Sequence, residues 1–231
     1  SDLTIHHTKT VEPFAIYNAL RGKKGNSVEV GMGNLKGEPS LLSKVANYVR
    51  ANYFIPDARK GWNSYAYKKA KEVIDNDKPD CIITTGPPHS THLVGERLKK
   101  ETGIPWIADM RDPWTTIYYN AFLNRTQQTK KKDKALEDLV LSKASAVVVA
   151  STAMKDEFSD RSKNISFIPN GYDDEDFQNL KQIERDKFIL AYTGNLKSNQ
   201  NCSALWTALK ELSENADFKA NFRLEVTGNV D

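Results

Sequence analysis

Six short apolar runs, at 81–84, 105–108, 146–150, 165–168, 188–192 and 222–226, alternate with stretches whose apolar residues recur at helical spacing. No other feature constrains the fold as much. Each run is four or five residues long and rich in Ile, Val or aromatics, the pattern of strands buried within a sheet. Ahead of the first run, Ala66, Ala70, Val73 and Ile74 share a helix face. Between later runs the same spacing relates Leu93, Val94 and Leu98, then Leu136, Leu139 and Val140, then Met154 and Phe158, and finally Leu205, Leu209 and Leu212. Strand and helix in alternation make βαβ units with right-handed crossovers, hence a parallel sheet with helices on both faces. The expected class is α/β: a Rossmann-like parallel sheet, then the start of a second Rossmann-like domain.

The polar stretch 178–187, followed by a fresh strand, marks a boundary between about Asp176 and Lys187. We divide the chain into 1–182 and 183–231. The second piece has room for one βαβ unit, which cannot close a core alone, so the second domain is expected to continue past Asp231. The first sixty residues are less regular. A helix is expected over 41–53, after a loop-rich segment with Gly22, Gly25, Gly31, Gly33 and Gly37.

With 39% hydrophobic and 27% charged residues the chain is globular rather than disordered. A net charge of +3 is too small to argue for a nucleic-acid partner, and Lys130, Lys131 and Lys132 read as a solvated helix start. Cys81 and Cys202 form no metal or redox motif; Cys81 reads as a small buried hydrophobe, and a reducing compartment is expected. With no apolar run near the roughly 18 residues of a membrane span and no signal peptide, a cytoplasmic location is expected.

Ligands of parallel α/β sheets collect at the carboxyl ends of the strands. After the first strand comes Thr84-Thr85-Gly86-Pro87-Pro88-His89-Ser90. Gly86 allows close backbone approach, Ser90 is a candidate N-cap, and a helix start there would favour an anion; the alternative is a tight turn without a ligand. His89 and His92 lack a third metal ligand at fitting spacing. His89 is the hydrogen-bonding or acid–base candidate, while His92 packs or faces solvent. After the second strand, Asp109, Arg111 and Asp112 offer either a carboxylate base or a structural ion-pair knot. Trp114 offers a flat face for a sugar or for packing a loop. After the fourth strand, Asn170-Gly171 signals a turn into a short acidic helix starting at Asp173. After the fifth, Gly194 with Lys197 could face a diphosphate. No dinucleotide or P-loop motif is present.

Taken in order, TTGPPHSTHLVGERLKKETGIPWIADMRDPWT, VLSKASAVVVAST, IPNGYDDEDF and YTGNL resemble bacterial retaining glycosyltransferases of the GT-B type. The likeness is to the family-four branch of surface-polysaccharide clusters, and 4–14 and FIPDARKGW (54–62) share it. The resemblance implies two Rossmann-like domains facing a cleft, the first for the acceptor and the second for a nucleotide-sugar donor. It implies no metal or other cofactor, because helix N-termini and basic side chains hold the leaving diphosphate. His89, Asp109, Arg111 and Asp112 would line the acceptor side, and Asn170, Gly171 and Asp173 would border the crevice. Gly194 and Lys197 would face the donor phosphates. The family's glycine-rich first loop and paired glutamates are not among these residues, and where relatives carry an arginine after YTGNL this chain has Lys197 to Asn201. The implied activity is hexosyl transfer to a polysaccharide or lipid-linked acceptor, with the 231-residue piece inactive by itself. Two other readings stand beside it: a sugar-nucleotide epimerase of like architecture, and a non-catalytic binding module. Arg50, Tyr53, Phe54, Arg59, Lys60 and Trp62, within 44–62, are candidates for peripheral contact with the inner membrane face, or their aromatics belong to the core.

Overall fold

The structure is a computed structural model, and it describes residues 3–11, 41–178, 185–196 and 200–230. The chain divides into two units, Ser1–Gly171 and Tyr172–Asp231, a division that falls ahead of the 182/183 boundary read from the sequence.

The first unit opens with helix α1 (Leu41–Tyr53), a 3-10 turn (Ala58–Trp62) and helix α2 (Asn63–Asp77). Then β1 (Ile82–Gly86), α3 (Ser90–Thr102), β2 (Trp106–Met110), a 3-10 turn (Tyr118–Phe122), α4 (Gln127–Lys143), β3 (Ala146–Val149), α5 (Thr152–Phe158) and β4 (Ile165–Phe167) follow. The four strands form one parallel sheet in the order β1-β2-β3-β4, with Thr84 opposite Ala108, Ala108 opposite Val147, and Val147 opposite Ile165. Parallel pairing follows from the helical crossovers, which return the chain to the same sheet end before each strand.

Burial alternates along the strands. Trp106, Ala108 and Met110 of β2 and Val147 and Val149 of β3 are buried with Val140, Leu141, Met154 and Phe158 from α4 and α5. A second cluster joins α2 and α3 through Ala66, Ile74, Val94 and Leu98, with Trp62 and Tyr67 against it. The other sheet face carries Thr85, Ile107, Asp109 and Val148, none of them buried, and Ile83, which is 66% exposed. Among the described residues one face of the sheet is dry and burial along the strands has period two; the expectation of helices on both faces reaches residues 12–40, which lie outside the described residues.

Cys81 is exposed, against expectation, because the strand begins one residue later at Ile82. Lys130, Lys131 and Lys132 are solvent-facing in the first turns of α4, as read. The next residue, Asp133, is turned inward and buried.

The second unit has a 3-10 turn (Asp174–Phe177), β5 (Phe188–Thr193), α6 (Ser203–Leu212), α7 (Ala216–Asn221) and β6 (Phe222–Thr227). β5 and β6 pair in parallel, Phe188 opposite Phe222 through Thr193 opposite Thr227. Each strand ends in a glycine of positive φ, Gly194 (136°) and Gly228 (132°). A Cβ on Gly228 would lie 2.0 Å from the Gly194 carbonyl oxygen, so the close approach of the two strand ends requires it to stay glycine.

Candidate functional site at the strand ends

The loop after β1 is organised by buried polar groups. The Trp106 indole N–H donates to Thr84 Oγ1 (2.7 Å), and the same oxygen shares a hydrogen bond with His92 Nδ1 (2.9 Å), whose tautomer sets which of the two donates. The ring is fully buried and its Nε2 has no hydrogen-bond partner. Burial, helped by neighbouring His89, holds the His92 pKa down to about 3, so the ring is neutral. His92 packs onto Gly86, where an added Cβ would lie 2.5 Å from Nε2. Gly86 is thus needed for a close approach, but the group approaching is His92.

His89 stacks on Trp114 with ring centroids 4.9 Å apart and planes 7° from parallel. It is buried, and neither ring nitrogen completes a hydrogen bond. Burial lowers its pKa, opposed by the charges of Asp57 and Asp112 and by the nearby Pro113 carbonyl. Trp114 is 2% exposed, and its indole N–H donates to Asp133 (2.8 Å). One face of the indole is covered by His89 and its edge is fixed in the core, so Trp114 packs the loop and offers no free face to a sugar.

Ser90 does not cap α3. His89 holds the N-cap position without a side-chain cap bond, and Ser90 is the first helical residue. The capping anion is Asp57, whose carboxylate accepts from the Ser90 N–H (2.8 Å), the Ser90 hydroxyl (2.8 Å) and the Arg59 N–H (2.8 Å). The anion expected at this helix start is therefore one of the chain's own carboxylates, placed where the free N–H groups and the helix dipole favour it. The Asp-Ala-Arg spacing signals a local cap at Asp57. Nothing in the sequence signals a bond to a residue 33 positions away.

At the end of β2 the trio separates. Arg111 forms an ion pair with Asp109 (2.9 Å) and donates to the Asn170 side chain (3.0 Å) and the Ile168 carbonyl (2.9 Å). The guanidinium therefore clasps the ends of β2 and β4 together. Asp112 takes no part. It is exposed, and no hydrogen bond or ion pair holds it among the described residues. Behind the loop, buried Glu137 accepts from the Thr115 N–H (2.9 Å) and hydroxyl (3.0 Å) and pairs with Arg161 and Lys134. Asp133 pairs with Arg125 (2.7 Å); burial raises the Asp133 pKa against the Trp114 hydrogen bond and the Arg125 charge. Neither Asp133 nor Glu137 was singled out from the sequence, where both sit within a charged helical stretch. A cleft of about 440 Å³ opens beside this loop, lined among others by Thr115, Thr116, Tyr118, Arg125 and Lys130.

The structure thus brings Gly86, His89, Trp114, Asp109, Arg111 and Asn170 into one connected arrangement at the strand ends, with Ser90 behind it and Asp112 at its surface. Gly171 is exposed, and an added Cβ there would meet nothing. In the second unit, Asp173 caps the 3-10 turn by accepting from the Glu175 N–H (2.9 Å). The Gly194 N–H is taken by the Thr227 carbonyl (2.9 Å). Lys197 lies outside the described residues. Among the described residues no group of three His, Cys, Asp or Glu side chains could hold a metal, and no helix is long and apolar enough to cross a membrane.

A parallel Rossmann-like sheet with its polar groups gathered at the carboxyl ends of the strands is the architecture of a GT-B glycosyltransferase domain. The chain matches the model of Glycosyltransferase Family 4 over residues 16–176. It belongs to that family, and its function is of the glycosyltransferase type, acting between a sugar donor and an acceptor. No curated protein gives a match.

Proposed function

We propose that this protein transfers a hexosyl group from a nucleotide-sugar donor to a polysaccharide or lipid-linked acceptor, with retention and without a metal or other cofactor. The setting we propose is bacterial surface-polysaccharide synthesis at the cytoplasmic face of the inner membrane, to which the protein is peripherally attached. The observation that carries the reading is the set of unengaged polar groups at the strand ends of a family-four domain. Asp112 has no partner among the described residues, and both ring nitrogens of buried His89 are unpaired. An acceptor hydroxyl donating to Asp112 and bonding neutral His89 would satisfy both. Asp109, tied to Arg111, supports the site rather than taking a proton. The donor diphosphate is assigned to Gly194 and Lys197. Because the Gly194 N–H is already engaged, the charge of Lys197 carries most of that contact.

The test is release of nucleoside diphosphate from a panel of UDP-, GDP- and dTDP-hexoses by the natural gene product, with a membrane extract as acceptor source. One donor should be consumed only when acceptor is present, and the product should keep the donor's anomeric configuration. Consumption without acceptor would point to an epimerase, and no consumption or binding of any donor would overturn the reading. Asp112→Asn should lower kcat/KM by 10² or more, the scale of a lost acid–base group, with folding unchanged. Unaltered activity would remove Asp112 from the site. The 231-residue chain alone should neither transfer sugar nor bind nucleoside diphosphates at low micromolar concentration, since affinity needs convergent polar groups in an enclosed pocket. Tight binding by titration calorimetry would overturn that part.

A further inference from the structure

The loop 113–116, after β2, is held from behind by α4. Asp133 and Glu137 lie one turn apart on the buried face of that helix. Asp133 accepts from the Trp114 indole N–H (2.8 Å), and Glu137 from the Thr115 N–H (2.9 Å) and hydroxyl (3.0 Å). From the other side the Asn120 side chain donates to the Trp114 and Thr115 carbonyls (both 3.1 Å). Trp114 is therefore fixed at its ring edge and along its backbone. His89 has no such bonds. Among the described residues neither of its ring nitrogens has a partner, and the ring lies on the indole with planes 7° from parallel. The plane of His89 is thus set by the plane of Trp114, and that of Trp114 by Asp133.

Stability alone does not call for a carboxylate at 133. Burying Asp133 with Arg125 takes two charges out of water, and well-packed apolar residues of similar volume often serve a core as well or better. The pair is also incompletely satisfied, since Arg125 Nε is buried without a partner among the described residues. What an apolar side chain cannot supply is an acceptor aimed at the indole N–H. Leucine would support the Trp114 ring by contact alone, which has no direction. A carboxylate holds one atom of the ring edge at hydrogen-bond distance and angle.

We propose that Asp133 is a positioning residue for the transfer site: by holding the Trp114 indole N–H it orients the His89 ring stacked on that indole. The inference rests on the role given to His89 above, but the orientation of the ring is measured without any transfer reaction, so the two can fail separately. Two variants divide positioning from stability. Asp133→Asn keeps an acceptor for the indole and leaves the Arg125 charge buried without its partner. Asp133→Leu with Arg125→Met removes both charges and the acceptor. An unpaired indole N–H costs less than an unpaired guanidinium, so Asp133→Asn should melt several degrees below the double variant. Positioning predicts the opposite order at the site. The chain has four histidines, so histidine-labelled NMR spectra are simple, and His89→Gln identifies the His89 signals. The nuclear Overhauser contact between His89 and the ring at 114 should persist in Asp133→Asn and be lost in the double variant. In the natural gene product carrying the same substitutions, Asp133→Asn should keep kcat within about threefold, and the double variant should lose roughly 10- to 100-fold, the scale of a small misplacement. KM for the donor should hold in both. If the double variant keeps the contact, or if contact and kcat fall in the same order as Tm, Asp133 is structural only and the proposal is overturned. Should the double variant fail to fold, Trp114→Phe decides: it keeps a ring under His89 and the Asp133–Arg125 pair while removing the N–H. A weakened contact is expected there, and a contact as strong as the parent's overturns the proposal. If no donor is consumed by the parent, the transfer reading fails, and the His89 contact alone still decides the positioning.

Discussion

β2 and β5 are both short apolar strands in parallel pairing next to an amphipathic helix, yet their surroundings differ. Trp106, Ala108 and Met110 of β2 are completely buried, whereas Phe188 of β5 is 67% exposed and Tyr192 is 36% exposed. β2 lies between β1 and β3, and α3, α4 and α5 cover its inner face. Among the described residues β5 has one partner, β6, and Leu205, Trp206 and Leu212 of α6 stand partly in solvent. No described residue of the second unit is buried. The strand and helix are specified locally in both units, by the same periodicities. A dry core needs several neighbours at once, and among the described residues the first unit has them.

Core truncation should show the contrast most strongly. Phe158→Ala in α5 removes a fully buried ring and should destabilise the first unit by about 3–5 kcal/mol in urea unfolding followed by near-UV circular dichroism. Below about 1 kcal/mol, the first unit would have to be as loosely packed as the second. Hydrogen exchange tests the same contrast without substitution. Amides of β2 and β3 should exchange only on global unfolding, and those of β5 and β6 by local opening, orders of magnitude faster. Equal protection in the two sheets would break the comparison.

Acid should separate the units next. His92 is depressed to about 3 in the folded chain, against about 6.5 unfolded. A depressed histidine contributes stability that is complete above the unfolded pKa and is lost as pH falls toward the folded one. The window is therefore about 6.5 down to 3, and moving from pH 7 to 5 should cost about 2 kcal/mol. The direction for buried His89 is the same. His92→Gln should start less stable and lose most of this pH dependence. If its pH slope matched the parent's, the buried ring would not be the source.

Much of this contrast could be read from the sequence, and the parts that could not have a common cause. All six strands lie within two residues of the apolar runs, because periodicity is a local property. That Gly86 admits a close neighbour was legible; that the neighbour is His92 was not, because it depends on how α3 lies on β1. The trio Asp109, Arg111 and Asp112 was legible as a charged strand end. Its division into an Arg111 clasp and an Asp112 without a partner among the described residues depends on Asn170 and Ile168 arriving after β4. Cys81 was misplaced because an apolar run says nothing of which residue begins the pairing. Asp57 shows the limit most clearly. Its local cap on Arg59 is visible in the sequence, while its bonds to Ser90 exist only after α3 has docked.

Asp57→Asn isolates that long-range contribution and should give a smaller effect than the core and histidine variants. The amide keeps one acceptor oxygen, so the local cap on the Arg59 N–H can survive. What is lost is the negative charge at the start of α3 and one of the two bonds to Ser90. A cap and its dipole interaction together are worth about 1–2 kcal/mol, and retention of one bond places Asp57→Asn near 1 kcal/mol. Asp57→Ala, losing every bond, should lie at the upper end of the range. The two variants also differ from a surface change in the second unit such as Leu212→Ser, at a residue 49% exposed, which should fall within about 0.5 kcal/mol of the parent. The electrostatic part has its own readout. Asp57 favours the charged form of His89, so in Asp57→Asn the His89 imidazole signals, followed by NMR, should titrate at lower pH than in the parent. If the His89 titration stays put while stability falls, the carboxylate holds the loop but exerts no field on the site. If neither changes, the Asp57–Ser90 bonds are too weak to fasten the 3-10 turn to α3.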